Sequence, residues 1–374
     1  MKRKKQPVNK ETVDESETIV ISIQQINIKE TENKESGFLG DLLTGEKIYE
    51  AWKRLLPLVH QTPLMTSHTI DDIVGKKVYC KMENQQKTGG FKFRGSTFKL
   101  MRLSEEELRK GVITASAGNH AQGVAYAARK LGAKAKIFMP EGTPLAKVHA
   151  TRNYGADVVL IGESFQEAYE ASKEYEKSSG SVYIHPFDDY DVMAGQGTIA
   201  MELLRQEDRI DSIYVPIGGG GLISGIAVAC KHINRNIRVV GVQAKGADAM
   251  YQSFHSDEAR CLDEVDTLAD GIAVKEPGKL TMPLIRKYVD DIVTVSDEEI
   301  SASILFMLER NKTLTEGAGA TALAGLFAHH HKFKSRHSAV IVSGGNLDID
   351  MMAKIQHLAE GYSPVEKLKE AAFY

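Results

Sequence analysis

Apolar and polar positions along this chain alternate in blocks rather than residue by residue. From about residue 46 onward, short continuous apolar runs are separated by longer stretches with helical spacing. The runs fall at 78–82, 111–115, 135–139, 158–161, 182–185, 213–217, 239–242, 292–295 and 339–343. Each is short enough for a strand and apolar throughout, the pattern of a strand covered on both faces. Helical patterns lie between most of them, the clearest over 164–178 and 297–310. The sequence therefore predicts an α/β protein with open, mostly parallel twisted sheets and helices on both faces.

Residues 1–45 break this rhythm. Lys2, Arg3, Lys4 and Lys5 are followed by many Glu, Asn, Ser and Thr. No apolar stretch follows the basic cluster, so this is not a secretory signal, and it is too acidic for a transit peptide. It reads as a disordered or arm-like extension, with one alternating segment over 19–28 that could form a strand against a partner.

Composition narrows the function. Of 374 residues, 42% are hydrophobic and 26% charged, with a formal net charge of −3. That balance suits a globular protein and argues against a nucleic-acid or membrane-surface binder. No apolar run approaches the roughly 20 residues of a membrane span. Residues 222–230 read as a buried helix. The three cysteines form no CxxC and no zinc spacing, which fits a reducing, cytoplasmic setting. His329, His330 and His331 end a helical pattern, where cations suit the helix dipole, so no metal is assigned to them.

In open α/β sheets, ligands sit beyond the carboxyl ends of the strands. Three such ends carry unusual chemistry. Gly218, Gly219, Gly220 and Gly221 follow a strand and open a helix. Such a loop lets several amides approach an anion, with the helix field behind them. Neither the dinucleotide fingerprint nor the P-loop fits. Gln243 stands where a ribose-binding acid would be, so a phosphate monoester is the better ligand. The second end, from Ser116 through Ala117 and Asn119 to His120, would turn amides toward a carboxylate. The third is Ser343, followed by Gly344, Gly345 and Asn346. A fourth segment, Gly89, Gly90, Phe91, Lys92, Phe93 and Arg94, leads into a helix. Phe91 and Phe93 could desolvate the Lys92 amine enough to make it a Schiff-base former.

Together these segments resemble the fold-type II pyridoxal-phosphate enzymes, and within them the short-form, catabolic threonine dehydratases, over about 48–348. The resemblance implies pyridoxal 5′-phosphate in Schiff-base linkage to Lys92, with Phe91 packed on its ring and Asn119 beside its ring hydroxyl. It implies a phosphate cradle of Gly218, Gly219, Gly220, Gly221 and the Leu222 amide, with Ser343 facing the pyridine nitrogen and Glu316 near the ring. Ser116, Ala117, Asn119 and His120 would hold the substrate carboxylate. The implied reaction is β-elimination of L-threonine, and of L-serine, to a 2-oxo acid and ammonia. A racemase, a 3-hydroxyaspartate ammonia-lyase and a weakly active or non-catalytic relative are the alternatives.

Serine racemases, which are similar, carry a second serine where this chain has Ala117, and acidic cation ligands that match Gln243 and Ala249. Relatives usually carry serine where Gly90 stands. The 28 residues after Asn346 correspond to a short form without a regulatory domain. The resemblance further implies a homodimer or homotetramer. It divides the chain into a large domain (46–107 and 187–362), a small mobile domain (108–186) and a tail (363–374).

Overall fold

The computed structural model describes residues 42–256 and 258–362. The expectations for 1–41, including the strand over 19–28, and for the tail 363–374 lie outside the described residues.

Helix α1 (Gly45–Leu55) is started by the Thr44 hydroxyl, which accepts from the Lys47 amide. Next come β1 (Leu64–Thr66), α2 (His68–Val74) and β2 (Lys77–Lys81). A run of β and α units follows: α3 (Lys92–Arg102), α4 (Glu105–Lys110), β3 (Val112–Ala115), α5 (Asn119–Leu131), β4 (Ala135–Met139), α6 (Leu145–Asn153) and β5 (Asp157–Leu160). Then come α7 (Phe165–Ser179), β6 (Val182–Tyr183), α8 (Tyr190–Gln206), β7 (Ser212–Pro216), α9 (Gly221–Ile233), β8 (Arg238–Ala244) and α10 (Ala249–Phe254). The described chain closes with α11 (Thr281–Tyr288), β9 (Asp291–Val295), α12 (Asp297–Asn311), α13 (Gly317–His329), β10 (His337–Ile341) and α14 (Met352–Ala359). Ser164 and Ser296 start α7 and α12 through reciprocal capping boxes with Glu167 and Glu299.

The strands form two sheets. One has the order β1-β2-β10-β7-β8-β9, parallel except for the antiparallel β1–β2 edge. The other has the order β5-β4-β3-β6 and is parallel throughout. The nine expected strands are all present, each within two residues of the expected bounds. The tenth, β1, was not anticipated. It is three residues long and half-exposed, so no apolar run marks it.

Alternation within the larger sheet explains its two cores. Ile213 and Val215 of β7, with Ala339 and Ile341 of β10, pack toward α1, α8 and α9. Tyr214 and Val340 face the opposite way, toward α12 and α13. A third core lies around β3, β4 and α5, and it takes in Phe93 and Leu100 from α3. Helix α3 therefore ties the second sheet's core to the first. It also meets α8 at bare backbone: a Cβ on Gly195 would lie 2.6 Å from the Gly95 Cα. Helix α8 meets α9 in the same way, since a Cβ on Gly197 would lie 2.7 Å from the Gly225 carbonyl oxygen.

Behind Lys92, a sealed charge cluster pins α3. The Arg94 guanidinium donates twice to Glu83, at 2.8 and 2.7 Å, and reaches Glu202 at 3.1 Å. The Lys81 amine lies 2.5 Å from Glu202 and donates to the Thr62 carbonyl at 2.8 Å. All four charged side chains are buried.

Candidate active site

Lys92 begins α3, and its amine sits deep among protein atoms. It donates to the Pro186 carbonyl at 2.8 Å and lies 5.2 Å from the centre of the Phe91 ring. Burial pulls its pKa down to about 8, with Glu316 opposing weakly. Phe91 is thus the ring beside the amine. Phe93, expected to share that role, points into the third core against Tyr126.

Pro186 belongs to a strap that sequence reading missed, Ile184 to Asp188 at the end of β6. His120 Nε2 lies 2.9 Å from the Ile184 carbonyl. A carbonyl only accepts, so Nε2 carries the proton and Nδ1 is left buried without a partner among the described residues. Burial, then the Lys92 charge, lowers the His120 pKa to about 3, so the ring is neutral. His185 Nδ1 accepts from the amides of Phe187 and Asp188, at 3.2 and 2.8 Å, and closes the strap into a turn. Burial holds His185 near 4, so it too is neutral. Asp188 accepts from the amides of Lys279, Leu280 and Thr281. The Thr281 hydroxyl in turn donates to the Gly219 carbonyl at 2.7 Å. The strap therefore links the amine to the glycine loop. The His185-Pro186 pair just after β6 was the available signal.

In the glycine loop, every residue has a reason to lack a side chain. A Cβ on Gly219 or Gly221 would collide with Phe187, and one on Gly220 with Ile285, Met250 and Thr281. Gly220 also holds φ at 96°, a conformation open to glycine. One on Gly218 would press on Ile272 and Val274. The amides of Gly218, Gly219, Gly220, Gly221 and Leu222 donate to no acceptor among the described residues. Five free donors at the start of a 13-residue helix make an anion cradle.

The second loop starts α5. Gly118 caps the helix without a side-chain bond, and the Ser116 hydroxyl accepts from the Gly118 amide at 3.3 Å. The Ser116 amide is spent on the Phe138 carbonyl. The amides of Ala117, Asn119 and His120 donate to no acceptor among the described residues.

Asn119, Glu316, Ser343 and Asn346 form the opposite wall. The Asn119 amide nitrogen donates to Glu316 at 2.6 Å. Asn346 donates to the Asn119 oxygen at 2.7 Å and to the Thr88 carbonyl at 2.8 Å. The Ser343 hydroxyl donates to the Ala318 carbonyl at 3.1 Å, and the Ser343 carbonyl accepts from the Phe91 amide at 3.1 Å. Burial, then the charge of Asp270, raises the Glu316 pKa to about 7, against the pull of the Asn119 bond. Asp270 is itself paired with Lys147 of α6 at 2.8 Å, a contact between segments of the two sheets. No motif announced that pair.

Gln243, the residue in the position of a racemase cation ligand, uses its amide oxygen to accept from the Tyr251 amide at 2.7 Å. His329 and His330 face the Thr294 and Phe327 carbonyls. Among the described residues, no group of three or more His, Cys, Asp or Glu side chains could hold a metal. No helix among them is long and apolar enough to cross a membrane.

A desolvated amine, an anion cradle and a wall of hydrogen-bonding groups suit a phosphorylated carbonyl cofactor. The chain belongs to the pyridoxal-phosphate-dependent enzymes, whose family model matches residues 55–344. It is 47% identical over 314 residues to an L-threonine ammonia-lyase of Thermotoga maritima, covering 84% of this chain and 78% of that protein. Among solved structures, it is similar to the processed form of threonine deaminase isoform 2 from Solanum lycopersicum. That match has a TM-score of 0.80 and 39% identity, and covers 86% of this chain and 91% of the other. Maize serine racemase matches with a TM-score of 0.80 and 38% identity, covering 86% and 99%.

Proposed function

We propose that this chain is an ammonia-lyase that removes the β-hydroxyl and the amine of L-threonine, and of L-serine, to give a 2-oxo acid and ammonia. The chemistry rests on one observation, the Lys92 amine held by a backbone carbonyl rather than a carboxylate, with its pKa brought down by burial to about 8. Substrate choice rests on the similarity to the Thermotoga maritima lyase.

The residues fit pyridoxal phosphate. The free amides of Gly218 through Leu222 would hold its phosphate, Lys92 its aldehyde carbon, and Phe91, Asn119, Ser343 and Glu316 would surround its ring. When bound, the cofactor supplies an electrophilic carbon for amines and a conjugated ring that accepts electrons. The protein orients the substrate and moves its protons. The amides of Ala117, Asn119 and His120, with the Ser116 hydroxyl, bind the substrate carboxylate at the start of α5. Lys92 would take the Cα proton on Nζ, and a pKa near 8 suits that task. The Pro186 carbonyl holds the resulting ammonium. Glu316, poised near neutrality, can give up or hold a proton beside the ring. Ser343 would bring a hydroxyl, not a carboxylate, to the cofactor ring, and so would supply no negative charge there. Ala117 has no proton to deliver to the opposite face, which argues against racemisation.

We carry the same reading to a cytoplasmic homodimer or homotetramer. Residues 108–186, which contain the whole four-stranded sheet, would form its smaller, mobile lobe. The test is direct. Purified protein with added cofactor should show a visible band and release 2-oxo acid from L-threonine and L-serine. Absence of the band removes the cofactor assignment. A band without 2-oxo acid moves the chain to another reaction of the family.

A further inference from the structure

Asn119 is an amide whose two ends differ only in polarity, so something must decide which end meets the cofactor. The neighbouring bonds decide it. The Thr88 carbonyl can only accept, so the Asn346 atom 2.8 Å from it is the NH2 group. That same NH2 group meets Asn119 at 2.7 Å, so Asn119 must present its oxygen there. Its own NH2 group is then forced to the other side, where it donates to Glu316 at 2.6 Å. The orientation of Asn119 thus descends from a backbone carbonyl through one relay.

The surrounding backbone is shaped for that relay. Gly89 holds φ at 73°, and a Cβ there would lie 2.4 Å from the Asn346 oxygen. The Gly345 amide donates to the Gly89 carbonyl at 2.9 Å, and Gly90 bridges Gly344 in an isolated β-bridge. A Cβ on Gly90 would lie 3.3 Å from the Asn119 amide, so glycine offers no second tie from that side.

We infer that Asn346 is a positioning residue that points the NH2 end of Asn119 toward the oxygen substituent of the cofactor ring. The inference rests on the reading of Asn119 as the partner of that oxygen. A flipped Asn119 would oppose its carbonyl to the ring oxygen and repel it.

The test is a double-mutant cycle on the full-length chain, read as the dissociation constant for pyridoxal phosphate and the position of its visible band. Asn346→Asp turns the relay into an acceptor and should flip Asn119. It should weaken cofactor binding at least tenfold and move the band. In an Asn119→Ala background, the same change should alter binding by less than twofold. An equal loss in both backgrounds would show a general structural defect and overturn the inference. So would cofactor binding by Asn346→Asp within twofold of the parent. Asn346→Ala, which removes the donor without adding charge, should fall between the parent and Asn346→Asp. A parent chain that shows no band overturns the reading of the site and the inference with it. A parent with a normal band and an indifferent Asn346 overturns the inference alone.

Discussion

Arg94 and Lys92 stand two positions apart on one helix, both charged groups buried, and their surroundings are opposites. Arg94 sits in a closed set of two cations and two carboxylates, each touching a partner of opposite sign. Burial alone would raise the Glu83 pKa and lower that of Arg94. The pairing reverses both, so Glu83 ends below and Arg94 above its usual value. Within the set, burial still wins at Lys81, whose pKa falls. Lys92 has a carbonyl for a partner, and Glu316 across the site has an amide. There burial wins on both sides, and each group moves toward its neutral form. Low dielectric is common to the two regions. The difference between a structural clamp and a reactive site is whether opposite charge is supplied at contact distance.

The sharpest way to break this comparison is Lys92→Ala. Its loss should cut 2-oxo acid release by at least about a thousandfold. Because the amine is desolvated without a counter-charge, thermal unfolding of the cofactor-free variant should come no earlier than in the parent. A variant that is both inactive and much less stable would place Lys92 in the same class as Arg94. The converse change is Arg94→Met, which leaves Glu83 and Glu202 with one cation between them. It should cost about 3–5 kcal/mol in urea unfolding of the cofactor-free chain. A cost under about 1 kcal/mol would mean that the cluster is not a clamp.

Glu316→Gln sharpens the contrast through pH. The raised pKa of Glu316 gives stability that is complete below the usual glutamate value of 4.5 and is lost as pH rises through about 7. The parent should therefore lose up to about 3 kcal/mol from this group across that window. The Gln variant should be flatter there, as read by urea midpoints at successive pH values. An unchanged slope would assign the effect to another group. The smallest effect belongs to Gly90→Ser. Gly90 is not among the residues with positive φ, and its nearest neighbour to a new Cβ, Asn119, lies at 3.3 Å. Turnover should stay within about threefold of the parent, since a few tenths of an ångström of adjustment suffice. A collapse of activity would show that Asn119 tolerates no displacement.

The sheets were legible because their strands are covered on both faces and so read as unbroken apolar runs. The short edge strand β1 was not, because three half-exposed residues carry no period. The candidate site was legible where a loop needs unusual residues, as at Gly218 to Gly221 and at Ser343. It was hidden where a residue acts through the main chain. Pro186 serves Lys92 with its carbonyl, and any residue has one. Lys147 and Asp270 are 123 positions apart, and nothing local in either stretch names the other. Asn346 stood inside a recognised motif, yet its role depends on Thr88 and Asn119, which folding alone brings to it.

The glycine contacts among α3, α8 and α9 carry a last consequence. Lys92 opens α3, the glycine loop opens α9, and α8 lies between them with main chain touching main chain on both sides. The span from amine to anion cradle is therefore set largely by close backbone contact, with the Gln196 side chain locked onto the Gly95 amide at 3.1 Å. Pocket-lining residues can diverge and retune substrate choice while that gauge stays constant. The exception is a single added methyl at Gly95, Gly195, Gly197 or Gly225, which would wedge the helices apart and reset the gauge from a point remote from any reacting atom.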